Sequence, residues 1–408
     1  MLSRYAPNVG GRFTAVLIFA FTLVAFVVES QLTQYVQTNL GYRHPFFIFY
    51  LVHASFSIIF PLHFVYLIWT TNHTAPAILK GLSIAISEHL SPKASGQSPK
   101  FPLYRFLRLL AGLTLGITCP GLLWFAAISL ASVSDVTAIW NTNAFFAYLI
   151  SVQLFKLNWE PRKLFAVLLA TAGTLAVVYG GVSSSQDPET PDVLTEAASN
   201  APHATFIKPK SPLVGNLLTL LASFGYGLYQ VLYKIYAALP SDPEVTSDVL
   251  YEQILEEEEE RTDLEQNEAD NLSSSGAVYP PPFGLHPNFL TSIMGLMTFL
   301  VLWIPIPILH WTGVETFSLP PNWLTAISIA GIALGGVVFN AGFMILLGVW
   351  GPIVTSVGNL LTIVLMLISD VVFGSGLESI TFWSLLGSSV IVAAFGILAY
   401  DIKKGHST

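Results

Sequence analysis

Two long apolar segments each carry a threonine and an asparagine four residues apart. In the earlier segment the pair is Thr137 and Asn141, and in the later one, which starts at Pro352, it is Thr355 and Asn359. Residues four apart lie on one face of an α-helix, so each segment should present a polar pair on one helical face. Both pairs align at the same shift of 218 residues. An apolar helix used twice with the same polar pair predicts a duplicated membrane protein that works at those faces.

Charged and polar residues inside apolar segments are the next candidates, because a charge at the bilayer centre costs about 2.5–3.5 kcal/mol on insertion scales. Glu29 is the only acidic residue well inside a predicted span, and Gln31 follows it. We predict that Glu29 binds substrate or a proton in a cavity; the alternative is a structural carboxylate bonded to a neighbouring helix. Later in the chain, Gln230 and Lys234 share a helical face beside Tyr229 and are predicted to line the same cavity, with packing as the alternative.

The elements that must position these residues are membrane spans. The chain has 408 residues, is 53% hydrophobic and 10% charged, and has a mean hydropathy of +0.63. Soluble domains carry about 25% charged residues, so the composition indicates a polytopic membrane protein. Its net charge of −8 comes from one segment, 241–270, which holds 13 of the 25 acidic residues and one arginine. The remainder is mildly basic, and nothing in it indicates nucleic-acid binding.

The apolar pattern predicts ten spans of about 20 residues each. They are residues 13–36, 46–69, 104–129, 134–155, 162–181, 212–237, 288–310, 323–348, 353–373 and 381–401. If the spans alternate in direction, 14 of the 17 lysines and arginines lie on the side of the two termini. The positive-inside rule then places both termini in the cytosol.

The ten spans divide into two groups of five. An odd unit that is duplicated must insert in opposite orientations, which predicts an all-α polytopic fold of ten transmembrane helices in two inverted five-helix repeats. A Gly-xxx-Gly pair at Gly112 and Gly116 matches Gly331 and Gly335 at nearly the shift found above. The predicted units are a cytosolic tail 1–12, a first repeat 13–181 with a mobile cytosolic loop 70–103, a lumenal linker 182–211, a second repeat 212–402 with an acidic, disordered cytosolic loop 237–287, and a tail 403–408.

Catalytic signatures are absent from the sequence. It contains no HExxH, GxSxG or HxxxH pattern and no glycine-rich phosphate loop. One cysteine, Cys119, and scattered histidines disfavour a metal site. We therefore predict a protein that is not an enzyme and that has no cofactor and no metal.

Several runs of sequence, in a fixed order, resemble one family. They are SQLTQYVQTNLGYRHPFFIFYLVH from Ser30, SVSDVTAIWNTNAFFAYLISVQLF from Ser132, KLFAVLLATAGTLAVVYGG from Lys163, SFGYGLYQVLYKIYA from Ser223 and TSVGN from Thr355. Together they resemble the drug/metabolite transporter superfamily of EamA type, and within it the fungal and animal solute-carrier 35 family, F-like members. This resemblance implies alternating access around a central polar site. It also implies substrates such as nucleotide sugars or thiamine-like vitamins, and a vacuolar or Golgi-like endomembrane rather than the plasma membrane.

We therefore expect a secondary-active transporter or exchanger of a small polar organic metabolite, embedded in a lipid bilayer. The residues expected to line its substrate site are Glu29, Gln31, Thr137, Asn141, Tyr229, Gln230, Lys234, Thr355 and Asn359. The alternative is a membrane scaffold or receptor that acts through the acidic loop 237–287. The sequence leaves a homodimer open.

Overall fold

The computed structural model of the chain describes residues 9–91, 101–128, 130, 136, 139–156, 160–180, 212–239, 276–373 and 382–405. Helices dominate these residues. In chain order they are α1 Val9–Thr38, α2 Pro45–Ser55, α3 Ile59–Thr70, α4 Ala75–Leu90, α5 Leu103–Ile128, α6 Asn143–Leu154, α7 Pro161–Gly180, α8 Pro212–Tyr236, α9 Leu285–Val301, α10 Pro305–Thr312, α11 Trp323–Asn359, α12 Leu361–Phe373 and α13 Phe382–Gly405. A 3₁₀ turn, Phe56–Ile58, joins α2 to α3.

Four helical stretches among the described residues are long and apolar enough to cross a bilayer. They are Thr14–Gln37, Pro45–Thr70, Leu103–Trp124 and Trp323–Asn359. The pair α9 and α10, bent by 44°, makes a fifth candidate. The structure thus supports a helical membrane protein. The other predicted spans coincide with helices that are shorter or less apolar, and the count of ten stays a prediction.

Helix α11 is broken by a sharp turn at Gly351. This residue has φ 75° and ψ 173°, a conformation that glycine tolerates best, and Pro352 follows it. The hydroxyl of Thr355 donates a hydrogen bond of 3.1 Å to the carbonyl of Leu346. In a straight helix these residues would be about 13 Å apart along the axis. The first part of α11 (323–350) and the second part (352–359) are therefore separate helices, as the predicted spans 323–348 and 353–373 require.

The long helices pack in pairs. Helix α1 lies along the first part of α11, α5 lies along α8, α2 and α3 lie against α9, and α7 lies against α13. Where α7 crosses α13, Gly173 and Gly387 face each other so closely that a Cβ on Gly173 would lie 2.8 Å from the Gly387 carbonyl oxygen. Small residues at a helix crossing let two backbones approach, which is how membrane helices associate without a hydrophobic driving force between them.

The segment 70–103, expected as a mobile loop, contains helix α4. Pro76 lies in the first turn of α4, where its missing N–H is not needed. Ile78, Leu82 and Ile86 then repeat every four residues and are buried in one core cluster with side chains of α5 and α8. The expectation of an unstructured loop is wrong for these residues. The neighbouring serines and prolines give the segment a composition typical of a loop, although it contains an amphipathic stripe.

Candidate functional site

The predicted span around Asn141 is interrupted in its polar half. Residues 139–141 are helical, Thr142 is a turn, and α6 begins at Asn143. The Thr142 N–H donates to the Ile139 carbonyl (3.1 Å), and the Phe145 N–H donates to the Thr142 carbonyl (3.0 Å). Bonds between residues three apart are of 3₁₀ type, and a short 3₁₀ stretch inside a helix often marks a functional hinge.

The predicted span around Asn359 is interrupted in the same way. Helix α11 ends at Asn359, Leu360 is a turn, and α12 begins at Leu361. The Leu360 N–H donates to the Val357 carbonyl (3.1 Å), and the Ile363 N–H donates to the Leu360 carbonyl (3.1 Å). Leu360 follows Thr142 by 218 residues, which is the shift that aligns the two asparagines. The two helices therefore break at matching residues, directly after the matched asparagines.

A threonine hydroxyl accompanies each break. The Thr142 hydroxyl donates to the Ile139 carbonyl (2.6 Å), and the Thr362 hydroxyl donates to the Asn359 carbonyl (2.6 Å). Such side-chain bonds offer the backbone an alternative to the regular helical ladder. The Thr142 hydroxyl is a second donor to the Ile139 carbonyl, and the Thr362 hydroxyl gives the Asn359 carbonyl a donor at membrane depth.

Gln230 of α8 connects the two broken helices. It is fully buried. Its amide nitrogen Nε2 donates to Oδ1 of Asn143 at 3.5 Å, and its Oε1 accepts a hydrogen bond from the hydroxyl of Ser356. Asn143 in turn donates from Nδ2 to the Trp140 carbonyl at 2.7 Å. One side chain thus links the polar face beside the first break to the polar face beside the second.

The matched polar pairs lie beside this link. Asn141 and Asn359 are buried, with 6% and 8% of their surface exposed. Oδ1 of Asn359 is buried and has no hydrogen-bond partner among the described residues. Thr355 is buried and is bonded to the Leu346 carbonyl. Thr137, its counterpart, lies outside the described residues.

Lys234 supports the turn between the two parts of α11. Its ammonium group donates to the Gly348 carbonyl at 2.5 Å. In an unbroken helix that carbonyl would accept from residue 352, but Pro352 has no N–H. Lys234 therefore replaces a backbone hydrogen bond that the proline cannot make, and it fixes the turn that leads into the polar face of Thr355.

Glu29 lies on the inner face of α1, against Gly335 and Gly336 of α11. A Cβ on Gly336 would lie 3.3 Å from Oε1 of Glu29. The side chain is partly exposed, but its Oε2 is buried and has no hydrogen-bond partner among the described residues. Gln31, two residues on, lies about 200° further round the helix. The structure therefore does not place Gln31 on the face of Glu29.

Tyr229 is packed in the core. It is 3% exposed, and its hydroxyl donates to the sulfur of Met344 at 3.4 Å. Tyr226, one turn earlier, is the partly exposed member of the same stripe. Asn143 and Ser356, which are bonded to Gln230, and Tyr226, which lies beside Trp140, adjoin the candidate site but are not in the predicted set. The polar runs around Asn141 and Thr355 in the sequence indicated Asn143 and Ser356. The helix breaks, which the sequence did not indicate, determine that these two side chains point inward.

Two contacts between chain segments, here called clasps, lie at opposite ends of the α2–α3 helix. In the Glu315 clasp, the Glu315 carboxylate accepts from the backbone N–H groups of Phe46 and Phe47, both at 3.0 Å. Tyr42 donates from its hydroxyl to the Ser318 carbonyl at 2.7 Å in the same clasp. Burial and the nearby Glu315 carboxylate raise the pKa of Tyr42 to about 12.

In the α4 clasp, helix α4 lies against residues 277–279, which precede α9. The Val278 N–H donates to the Ala77 carbonyl at 3.0 Å. The Tyr279 hydroxyl donates to Oε2 of Glu88 at 2.8 Å. Each clasp joins a segment of the first half of the chain to a segment of the second half.

Metal binding is not supported by the part of the chain that the structure describes. There, no group of three or more His, Cys, Asp or Glu side chains lies together in a way that could hold a metal ion.

Comparisons with known proteins point to transport. No model of a protein family matches the chain. It is 26% identical over 407 residues to an uncharacterized transporter of Schizosaccharomyces pombe, covering 96% of this chain and 97% of the relative. It is 24% identical to the thiamine-repressible mitochondrial transport protein of Saccharomyces cerevisiae, covering 93% and 90%. An uncharacterized vacuolar membrane protein of the same yeast is 20% identical, with 100% and 95% covered.

The fold is also similar to that of a protein known from a crystal structure. The TM-score is 0.52 with 14% sequence identity, over 96% of this chain and 98% of that chain. At that identity the similarity concerns the fold alone. Full-length similarity to proteins named as transporters, together with the apolar helices, supports a membrane transporter.

Proposed function

We propose that the protein is a secondary-active transporter of a small polar organic metabolite, working by alternating access across an endomembrane. One observation carries the proposal: Gln230 bridges two helices that break at matching residues next to matching asparagines. Interrupted helices expose backbone and side-chain polar groups at membrane depth, and transporters bind substrates and ions there. A polar link that spans both halves can also reorganise when the halves rock.

The packing of the helices supports two inverted repeats of five spans. We treat the following elements as equivalent in the two repeats: α1 and α8, α2–α3 and α9–α10, α5 and the first part of α11, α6 and the second part of α11 with α12, and α7 and α13. Under this exchange the contact of α1 with α11 becomes the contact of α8 with α5, and both occur. The contact of α6 with α8 becomes that of α12 with α1, and both occur. The pairs α2–α3 with α9 and α7 with α13 map onto themselves.

Matched glycines add to this support. Gly116 of α5 lies beneath Tyr229, where a Cβ would be 2.9 Å from the ring. Gly335 of α11 lies beneath Glu29, where a Cβ would be 3.1 Å from the Glu29 Cβ. Gly116 and Gly335 are the pair that the sequence aligns. Gly116 therefore lets α8 approach α5, and Gly335 lets α1 approach α11. These two contacts are equivalent under a pseudo-twofold relation.

In this mechanism the two clasps are the contacts between the halves that break and form in turn. Each joins segments of opposite halves, so rocking of the halves would separate one clasp while the other stays formed. With both termini in the cytosol, the Glu315 clasp faces the lumen and the α4 clasp faces the cytosol. The relatives named as mitochondrial and vacuolar support an endomembrane location.

Transport can be tested with the purified protein in liposomes. Nucleotide sugars, thiamine and amino acids are screened for uptake with and without a pH gradient, against liposomes without protein. We expect one class to accumulate in a protein-dependent way. Saturable uptake of none of them under either condition would contradict a metabolite transporter.

Deletion of residues 241–270 separates the transporter from the scaffold alternative. A transporter keeps its uptake when this acidic segment is removed, because the site is formed by the helices. Uptake that disappears in a folded deletion variant would favour a protein that acts through the segment.

A further inference from the structure

Two histidines belong to the Glu315 clasp. The Phe317 N–H donates to Nδ1 of His310 at 3.1 Å. Nε2 of His44 lies 2.9 Å from the hydroxyl oxygen of Ser318, and the two form a hydrogen bond. Phe317 and Ser318 follow Glu315 by two and three residues. Both histidines therefore hold the short segment that places the Glu315 carboxylate against the start of α2.

The bond to His310 exists only while this histidine is uncharged. A backbone N–H can only donate, so Nδ1 of His310 must accept through its lone pair. In a charged imidazole both nitrogens carry hydrogen. Charging would place the Nδ1 hydrogen against the Phe317 N–H and remove the bond. His310 lies in the last turn of α10, where the helix dipole favours a positive charge and partly offsets this loss.

His44 resists a positive charge more strongly. Its side chain is partly exposed, but Nδ1 is buried and has no hydrogen-bond partner among the described residues. A charged His44 would therefore carry a buried N–H without an acceptor. His44 is also the N-cap residue of α2, and the N-terminus of a helix disfavours a cation. The closed clasp thus favours the uncharged form of His44.

The other charged and titratable groups around the histidines do not reverse this preference. Arg43, next to His44, adds a second positive charge. Glu315 would attract a charged imidazole, but its two oxygens already accept backbone N–H groups. The ring of Tyr42 lies 4.3 Å from that of His44, and Tyr35 is the titratable residue in the last turns of α1. A buried N–H without an acceptor costs more than an ion pair near solvent regains.

We propose that acidification on the side of the Glu315 clasp opens this clasp by charging His44 and His310. The inference rests on the proposed function, in which this side faces the lumen of an endomembrane compartment. Histidine is the side chain that ordinarily changes its charge between pH 5 and 8. Because the closed clasp favours the uncharged histidines, protons bind better to the open form. Acid therefore shifts the equilibrium towards the open form.

Hydrogen exchange in the purified full-length protein tests the inference without any substrate. Exchange at the amides of Phe46 and Phe47 is measured at about pH 7.5 and about pH 5.5 and is corrected for the intrinsic chemical rate. We expect the corrected rate to rise about tenfold in acid. A corrected rate that is the same at both pH values would overturn the inference, even if the protein transports. Acid-induced opening in a protein that takes up no metabolite would support the inference and contradict only the proposed function.

His44→Gln and His310→Asn then identify the groups that titrate. Nε2 of glutamine can replace Nε2 of His44 beside Ser318, and Oδ1 of asparagine can replace Nδ1 of His310 as an acceptor, but neither amide titrates. His44→Gln should remove most of the acid-induced rise and His310→Asn a smaller part. The matched control is His73→Gln, at an exposed histidine between α3 and α4, which should respond as the wild type does. A rise of wild-type size in the folded double variant His44→Gln/His310→Asn would overturn the inference.

Discussion

The Glu315 clasp and the α4 clasp lie at opposite ends of the α2–α3 helix and are formed by different kinds of contact. At the first, a carboxylate accepts from two N–H groups in the first turn of α2, which no backbone carbonyl of that helix can satisfy. At the second, a 16-residue helix buries an apolar stripe, and its Ala77 carbonyl accepts a backbone hydrogen bond from Val278. The first depends on a few hydrogen bonds made by the Glu315 and Tyr42 side chains, and the second is spread over many atoms.

If the protein works by alternating access as proposed, this difference predicts how each end would open. Breaking a few hydrogen bonds to one carboxylate requires little apolar surface to be exposed. Separating α4 from residues 277–279 exposes backbone groups and part of the core that contains Ile78 and Leu82. We therefore expect the Glu315 end to open locally and the α4 end to open only as a unit with its helix. The predictions below test that contrast, in order of decreasing effect.

The largest effect is expected for Gly81→Ala. A Cβ at this position of α4 would overlap the carbonyl group of Val278, and its distance to the Val278 nitrogen would be 3.3 Å. Since backbone cannot move aside cheaply, overpacking should destabilise the α4 clasp by about 1–3 kcal/mol. The measurement is thermal unfolding in detergent, with hydrogen exchange at the Val278 amide.

Gly112→Ala is the control for this substitution. Gly112 is also inside a helix, but a Cβ there meets nothing within 4 Å. Alanine should be neutral or stabilising by up to about 1 kcal/mol because of its higher helix propensity. The same response at both glycines would contradict the described packing of α4.

A smaller and more local effect is expected for Glu315→Ala. Loss of a side chain that caps a helix costs about 0.5–2 kcal/mol. Hydrogen exchange should speed up at the amides of Phe46 and Phe47 and remain unchanged at Val278. Glu160→Ala, at an exposed carboxylate, should alter neither. Exchange that rises equally at both ends would show that the clasps are not independent.

Tyr279→Phe should have a still smaller effect. It removes the hydrogen bond to Glu88, worth about 0.5–1.5 kcal/mol, and keeps the ring. Because the α4 clasp is distributed over many contacts, thermal stability should fall by less than in Glu315→Ala. A larger loss would mean that one hydroxyl dominates this clasp and that the contrast is wrong.

The smallest effect is confined to alkaline pH. The raised pKa of Tyr42, about 12 against an ordinary value of 10, means that the folded state favours the neutral hydroxyl. Its contribution is fully present below pH 10 and is lost as the pH rises towards 12. The unfolding midpoint of the wild type should therefore fall more steeply over this range than that of Tyr42→Phe. Parallel pH profiles would contradict the burial of Tyr42 beside Glu315.

The sequence predicted the polar pairs but not the geometry that makes them a site. Alignment of Asn141 with Asn359 needs only the order of residues, and the break at Gly351–Pro352 follows from residue types. The breaks at Thr142 and Leu360 do not, because neither residue is a helix breaker and both depend on side-chain and tertiary contacts. Nothing in the sequence indicated the role of Glu315, since its partners are backbone groups more than 250 residues away.

The central claim is that two matched broken helices, linked by Gln230, form the transport site. Its most direct test is uptake into liposomes by Asn141→Ala, Asn359→Ala and Gln230→Ala proteins of confirmed fold, with Gly112→Ala as control. We predict that each of the three site variants loses most of the saturable uptake, with similar losses at the two asparagines, while the control retains it. Wild-type uptake rates in folded Asn141→Ala and Asn359→Ala proteins would contradict the claim.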